Sequence, residues 1–277
     1  MQKLPLRATW LAALMMPWQH RGTFFKIMWP WVLVGGAVYA VSVVLTFAAQ
    51  QEPSQSIVMD FVAFAVGVAG VVLVSPAMVA ALRFVVTDEA KLHGFGKRTK
   101  SFVVAYLIFM VGWLPVTSLN IFAGQTITPA GEVAFQRPDL MAYFVVLTLV
   151  LLPVYMRLGF VFPGIADDEP VDFARAWGRT KGNTIRIVFG HLVLVVGVAF
   201  VGTFAIAITG WLLVYLLSIP QLLFQILTGV LYAAFAAYMG ICILSWFGLS
   251  YLALASNRPE PQAPVSDTGN GSTGNGE

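Results

Sequence analysis

The chain has 277 residues, 58% of them hydrophobic and only 10% charged, with a net charge of +3. A soluble domain carries about 25% charged residues, so a water-exposed globule is excluded and a bundle packed in lipid is expected. Nucleic-acid binding is excluded as well, because no basic groove with interleaved stacking aromatics accompanies the positive charge.

Residues 1–28 read as a cytoplasmic N-terminus with an interfacial helix, since Leu6, Trp10, Leu11, Leu14 and Trp18 recur at helical spacing. Tryptophan favours the headgroup level. The apolar run Ala8 to Met16 sits at the short edge of a signal core and leads to no small-residue cleavage site. A signal peptide is therefore not expected.

A membrane domain follows over residues 29–255, with spans predicted at about 29–49, 57–86, 101–123, 139–166, 187–218 and 221–254. Each exceeds the roughly 20 residues that cross a bilayer as helix. Between the second and third, Thr87 is placed to cap a short helix opening with Asp88 and Glu89, which Gly94 and Gly96 then break. The loop 124–138 reads as a packed surface loop. Pro153 and Pro163 predict kinking of the fourth span. Asp168, Glu169 and Pro170 then make a helix start, Phe173 and Trp177 share one face, and Gly182 and Asn183 supply a stop. This predicts an amphipathic helix at the inner interface. A short turn at Ile219 and Pro220 packs the last two spans antiparallel, and residues 256–277 read as a disordered cytoplasmic tail.

Orientation comes from the charges. Of 16 lysines and arginines, all but Arg137 fall in alternate polar segments, on one side of the predicted spans. Basic residues near span ends are held in the cytoplasm during insertion. The expected fold class is an all-α membrane protein with six transmembrane helices, both termini inside, and interfacial amphipathic helices on the cytoplasmic side. Its expected location is the cell inner membrane.

The candidate ligand or ion-pair site centres on Arg157, near the inner end of the fourth span, with Arg83, Asp88, Glu89 and Asp168 close to other inner span ends. Counted back from Ala166, Arg157 would lie roughly 13 Å along a continuous helix. Two roles fit it: contact with an anion or lipid phosphate in an inward-facing pocket, or a snorkelling anchor paired with an acid such as Asp88, Glu89 or Asp168. A candidate interface consists of Phe173, Trp177, Arg179 and Lys181. Asp60 lies near the outer surface, and the spans hold no chain of ionisable groups of the kind a proton relay needs.

No catalytic residues, cofactor or metal site are expected. His20, His93 and His191 sit in separate segments, and the single cysteine, Cys242, reads as a small core hydrophobe. Gly94-Phe95-Gly96-Lys97 lacks the upstream glycine and the following Ser or Thr of a phosphate loop. Small residues four apart, Gly36 and Ala40, Ala63 and Gly67, Ala236 and Gly240, are expected to pack helices together. Asp88-Glu89 before Gly96-Lys97-Arg98-Thr99-Lys100 echoes Asp168-Glu169 before Gly178-Arg179-Thr180-Lys181. Either a parallel duplication or convergence of basic loops accounts for it.

Arg157, Pro163, Ala166, Asp168, Glu169, Ala176-Trp177 and Thr180-Lys181-Gly182-Asn183 resemble an uncharacterised family of bacterial polytopic inner-membrane proteins. That family is related to the membrane region fused to some glycerophosphodiester phosphodiesterases. The resemblance implies a six-span membrane domain without catalytic residues of its own, and phosphodiesterase activity does not carry over. The expected role is non-enzymatic: organising, stabilising or regulating a membrane partner or lipid. The alternative is a small transporter or lipid-handling permease with an anion contact at Arg157. Expected partners are the lipids of the anionic inner leaflet, with a protein partner or a second copy of the chain as further candidates.

Overall fold

Long apolar helices carry the structure, a computed structural model that describes residues 3–30, 33–34, 37–38, 41, 56–89, 91, 94–123, 125–127, 133–135, 137–215 and 221–255. In chain order they are α1 (Leu6–Gln19), α2 (described over 21–30), α3 (Ser56–Thr87), α4 (Lys97–Ala123) and α5 (Pro138–Leu158). Then come α6 (Val161–Ala166), α7 (Phe173–Arg179), α8 (Thr184–Tyr215) and α9 (Gln221–Ala255). Among the described residues, five helices are long and apolar enough to cross a membrane: Phe61–Thr87, Lys97–Ala123, Pro138–Ala166, Thr184–Leu212 and Ala233–Ala255. They correspond to the second through sixth predicted spans. Most of the first predicted span lies outside the described residues, as do the Ile219–Pro220 turn and the tail 256–277.

The outward faces of these helices are apolar, with Val111, Leu149, Val196 and Phe200 all exposed. Lipid is the solvent for such faces, and a helix suits it because every backbone bond closes internally. Inside, α9 packs against α1, α3, α6 and α8. Trp246, Tyr251 and Cys242 are fully buried on it and share one continuous core with Ala77, Ala80, Ala81 and Leu82 of α3.

Helix α1 lies on α9 and α8. Leu4 N–H donates to Asn183 Oδ1 at 2.9 Å, and Arg186 Nη1 donates to the Leu4 carbonyl at 2.8 Å. The stripe it buries most deeply is Thr9, Ala13 and Pro17, with Leu6, Trp10 and Leu14 partly covered. Leu11 and Trp18, expected on the same face as these, turn outward.

Close helix approach occurs at glycines other than those of the expected pairs. A Cβ at Gly190 would lie 2.3 Å from the Trp246 ring, and one at Gly202 only 1.8 Å from the Phe235 ring. Among the described residues, a Cβ at Gly67 or Gly240 would meet nothing within 4 Å, and Gly36 lies outside them.

Three local expectations are corrected. Thr87 ends α3 instead of capping a new helix: its hydroxyl donates to the Arg83 carbonyl at 2.9 Å, and Asp88 adopts a left-handed φ of 60°. That conformation, tolerated by Asp, stops a helix. The fourth span is broken at Gly159, not at Pro153, which α5 absorbs. Pro163 supplies the reason, because its ring would clash with the carbonyl four residues earlier, on Gly159. Lastly, α7 begins at Phe173, capped by Asp172, whose Oδ1 accepts from Arg175 N–H at 2.9 Å. Asp168, in a turn, and Glu169 and Pro170 after it precede the helix as a non-helical link.

The loop after α4 is a short antiparallel hairpin, β1 (Gln125–Ile127) with β2 (Val133–Phe135), in register Thr126 opposite Ala134. Arg137 N–H donates to the Ala123 carbonyl at 3.0 Å, closing the loop at its base.

Candidate functional site

The end of the bundle where α3 stops and α4 begins gathers most of the charged residues singled out in the sequence. Arg83, in the last turns of α3, is buried. Its guanidinium nitrogens reach Glu89 at 2.6 Å, the Ala166 carbonyl at 2.9 Å and Asp168 at 3.1 Å. Burying a lone guanidinium costs several kcal/mol, and three acceptors, one after α3 and two at the end of α6, offset that cost. A lysine would not reproduce this spread, since the planar fork sets the directions of the donors.

Asp168 is the hub. Besides Arg83 it binds Arg98 of α4 in a two-pronged pair, Arg98 Nε to Oδ1 and Nη2 to Oδ2, the latter at 2.7 Å. Its backbone, like that of Asp88, is left-handed, at φ 61°. Hydrogen bonds from Arg98 first, and then from Arg83, hold its carboxyl well down, at about 2. The Glu89 carboxyl is likewise lowered, chiefly by its hydrogen bond from Arg83.

Glu169 carries the clasp onward. It accepts from Arg179 Nη2 and Nη1 at 3.0 and 3.2 Å, with Arg175 at 3.9 Å. Gly164 makes room: a Cβ there would stand 2.9 Å from Glu169 Oε2. Arg179 in turn lies 4.5 Å over the Tyr251 ring, whose hydroxyl donates to Asp167 Oδ2 at 2.7 Å. Carboxylates and guanidiniums thus tie α3, α4, α6, α7 and α9 together at one end.

Arg157 stands beside this clasp. It lies in the last turn of α5, just before the break at Gly159. Basic charge there favours the helix dipole. Its guanidinium carbon is 3.5 Å from the centre of the Trp177 ring, Nε donates to Thr180 Oγ1 at 3.0 Å, and Nη2 donates to the Trp177 carbonyl. It forms no ion pair with Asp88, Glu89 or Asp168; the last two bind Arg83, and Asp88 is exposed with no ion pair to a described residue.

Among the candidate interface residues, Phe173 packs against the core and Trp177 is 41% exposed. Arg179 is turned inward onto Glu169, while Lys181 is exposed. Arg98, Thr180 and Tyr251 join the site although the sequence did not offer them as candidate site residues. The internal echo carried the signal for two of them, since it places Arg98 opposite Arg179 and Thr99 opposite Thr180. Both threonines are buried, and their hydroxyls donate at 3.0 Å to the carbonyls of Gly94 and Ala176. No signal in the sequence pointed to Tyr251.

No group of three His, Cys, Asp or Glu residues that could hold a metal occurs among the described residues. His20 meets the Phe84 ring edge-on at 5.1 Å, and His191 packs beside Phe247. His93 and the side chain of Asp60 lie outside the described residues. Comparison with protein-family models, with curated proteins and with solved structures finds no match to this chain.

Proposed function

We propose that this is a non-enzymatic six-span protein of the bacterial cytoplasmic membrane, both termini cytoplasmic, that organises or regulates a membrane partner through its inner face. It belongs, on this reading, with the inner-membrane family whose motif Arg157 to Asn183 resembles. The observation that carries the reading is how the charges are used. Arg83, Arg98 and Arg179 are committed to Asp168 and Glu169, which favours a rigid support over a binding pocket. Trp177, half out of that support and stacked on Arg157, is a rigid aromatic of the kind that anchors protein contacts.

A photo-crosslinking amino acid at position 177, with one at lipid-facing Leu149 for comparison, tests this in cells. The expected result is a discrete protein adduct from position 177 and lipid adducts alone from 149. No protein adduct at 177, or the same pattern at both sites, contradicts it.

A permease with an anion contact at Arg157 is the second reading. It draws on one observation, that the described contacts of Arg157 are a ring, a hydroxyl and a carbonyl, with no carboxylate. Uptake of phosphate into vesicles, lost in Arg157→Ala with folding retained, would favour it over the platform.

A further inference from the structure

A groove of about 430 Å³ opens between the start of α4 and the segment before α7, lined by Gly96, Lys97, Lys100, Ser101, Val104 and Val171. The size suits a small-ligand cleft. Its lining holds two lysines and no acid. Nearby arginines are paired, Arg83 and Arg98 with Asp168, Arg175 and Arg179 with Glu169. Lys97 and Lys100 are exposed, and neither forms an ion pair with a described residue. The helical ladder of α4 begins with Lys100 N–H donating to the Gly96 carbonyl at 3.0 Å. The amides of Lys97, Arg98 and Thr99 therefore stand at the same mouth, at the positive end of the helix dipole. The Gly-Phe-Gly-Lys run that fails as a nucleotide phosphate loop thus ends at a basic, acid-free groove.

The surface below the groove identifies what would occupy it. Lys97, Ser101, Val104, Ile108 and Val111 follow one another at spacings of three and four, one face of α4. The last three are apolar and open, at 52%, 52% and 66% exposure. From Lys100 to Val111 is roughly 16 Å at 1.5 Å per residue, about the depth of one leaflet of a hydrocarbon core of about 30 Å. A water-borne phosphate would use the lysines and leave this stripe idle, whereas an amphiphile uses both.

We propose that this groove binds the phosphate headgroup of an anionic phospholipid, with an acyl chain lying along Val104, Ile108 and Val111. Lys97, Lys100 and Ser101 contact the phosphate, and Val171 closes the far wall. The Arg98–Asp168 pair acts as a positioning contact that holds this wall against α4. The site is independent of the Trp177 platform and of Arg157, which does not line it.

The test is native mass spectrometry of the full chain released from detergent micelles doped with dioleoylphosphatidylglycerol or dioleoylphosphatidylcholine. The wild type is expected to retain one phosphatidylglycerol, preferred by about tenfold or more over phosphatidylcholine, given the attraction of each lysine for anionic lipid. Lys97→Gln with Lys100→Gln, both exposed and without an ion pair to a described residue, is expected to fold normally and lose the preference. Lys181→Gln, at another exposed lysine, is expected to keep it. Equal retention of both lipids by the wild type overturns the proposal, as does a preference that survives the double substitution. A loss just as large in Lys181→Gln also overturns it, by showing diffuse surface charge. Displacement of the lipid by millimolar inorganic phosphate, itself bound in a lysine-dependent way, would replace the lipid with a free-phosphate site.

Discussion

Asp88 and Asp168 follow helix ends with nearly the same left-handed backbone, yet among the described residues only Asp168 has guanidinium partners. The same substitution therefore separates the two. Asp88→Asn removes an exposed charge, keeps a residue that tolerates the left-handed region, and is expected to change stability by less than about 0.5 kcal/mol. Asp168→Asn leaves buried Arg83 with Glu89 and a carbonyl, and leaves Arg98 without its carboxylate. Breaking a fully buried pair costs about 3–5 kcal/mol. The half-exposed carboxylate and the remaining contacts of Arg83 reduce this to about 1–2 kcal/mol here. The pH dependence has a definite sign. Because the Asp168 carboxyl is depressed to about 2 in the fold, its stabilisation is full above its ordinary range, near 3.9, and fades as pH falls from there through about 2. Thermal unfolding in detergent should show a gap between wild type and Asp168→Asn at pH 7 that narrows by pH 3. A gap constant with pH would contradict the ionic account. The sequence placed both aspartates at inner span ends but had no means of distinguishing them, since the difference lies in which distant arginines fold back onto each.

At the scale of elements, the long apolar helices were legible because length and hydropathy alone determine them. Their ends were less so. Thr87 before two acids looks like a cap, and only the preceding turns reveal a helix already bonded to its limit. Asp168-Glu169-Pro170 satisfies every local rule for a helix start, yet Asp168 and Glu169 are held by Arg83, Arg98 and Arg179, and the helix waits for Asp172. The hairpin escaped notice because two three-residue strands carry little periodicity. Helix contacts were misplaced for a similar reason: spacing finds small residues, but only the neighbouring rings decide which of them matter. Gly190 and Gly67 make the contrast measurable. Gly190→Ala drives a methyl into the fully buried Trp246 ring and is expected to cost about 1–3 kcal/mol by overpacking. Gly67→Ala meets open space and is expected to be neutral or slightly stabilising through helix propensity. Equal unfolding temperatures for the two variants would contradict the packing described.

At the scale of the molecule, polar chemistry concentrates at one end. Arg83, Arg98, Arg157, Arg175 and Arg179 all stand where α3, α5 and α6 finish, where α4 begins and along the short α7, whereas Arg137 pairs with Asp139 at the opposite end, beside the hairpin. The alternation of basic segments in the sequence anticipated this gathering, because insertion acts on linear charge. It could not reveal that Arg83 and Arg98 lock the helix ends together, which depends on one carboxylate, Asp168, 85 and 70 residues away. Both proposals, an aromatic platform and a phospholipid groove, require the clasped end to face the cytoplasm. Cysteine labelling tests that most directly. In a background with buried Cys242 replaced by Ala, single Arg137→Cys and Lys181→Cys variants are treated with a membrane-impermeant maleimide in intact spheroplasts. Labelling is expected at position 137 at once and at position 181 only after the membrane is permeabilised. Labelling of 181 in intact spheroplasts, or equal accessibility of the two positions, would contradict it.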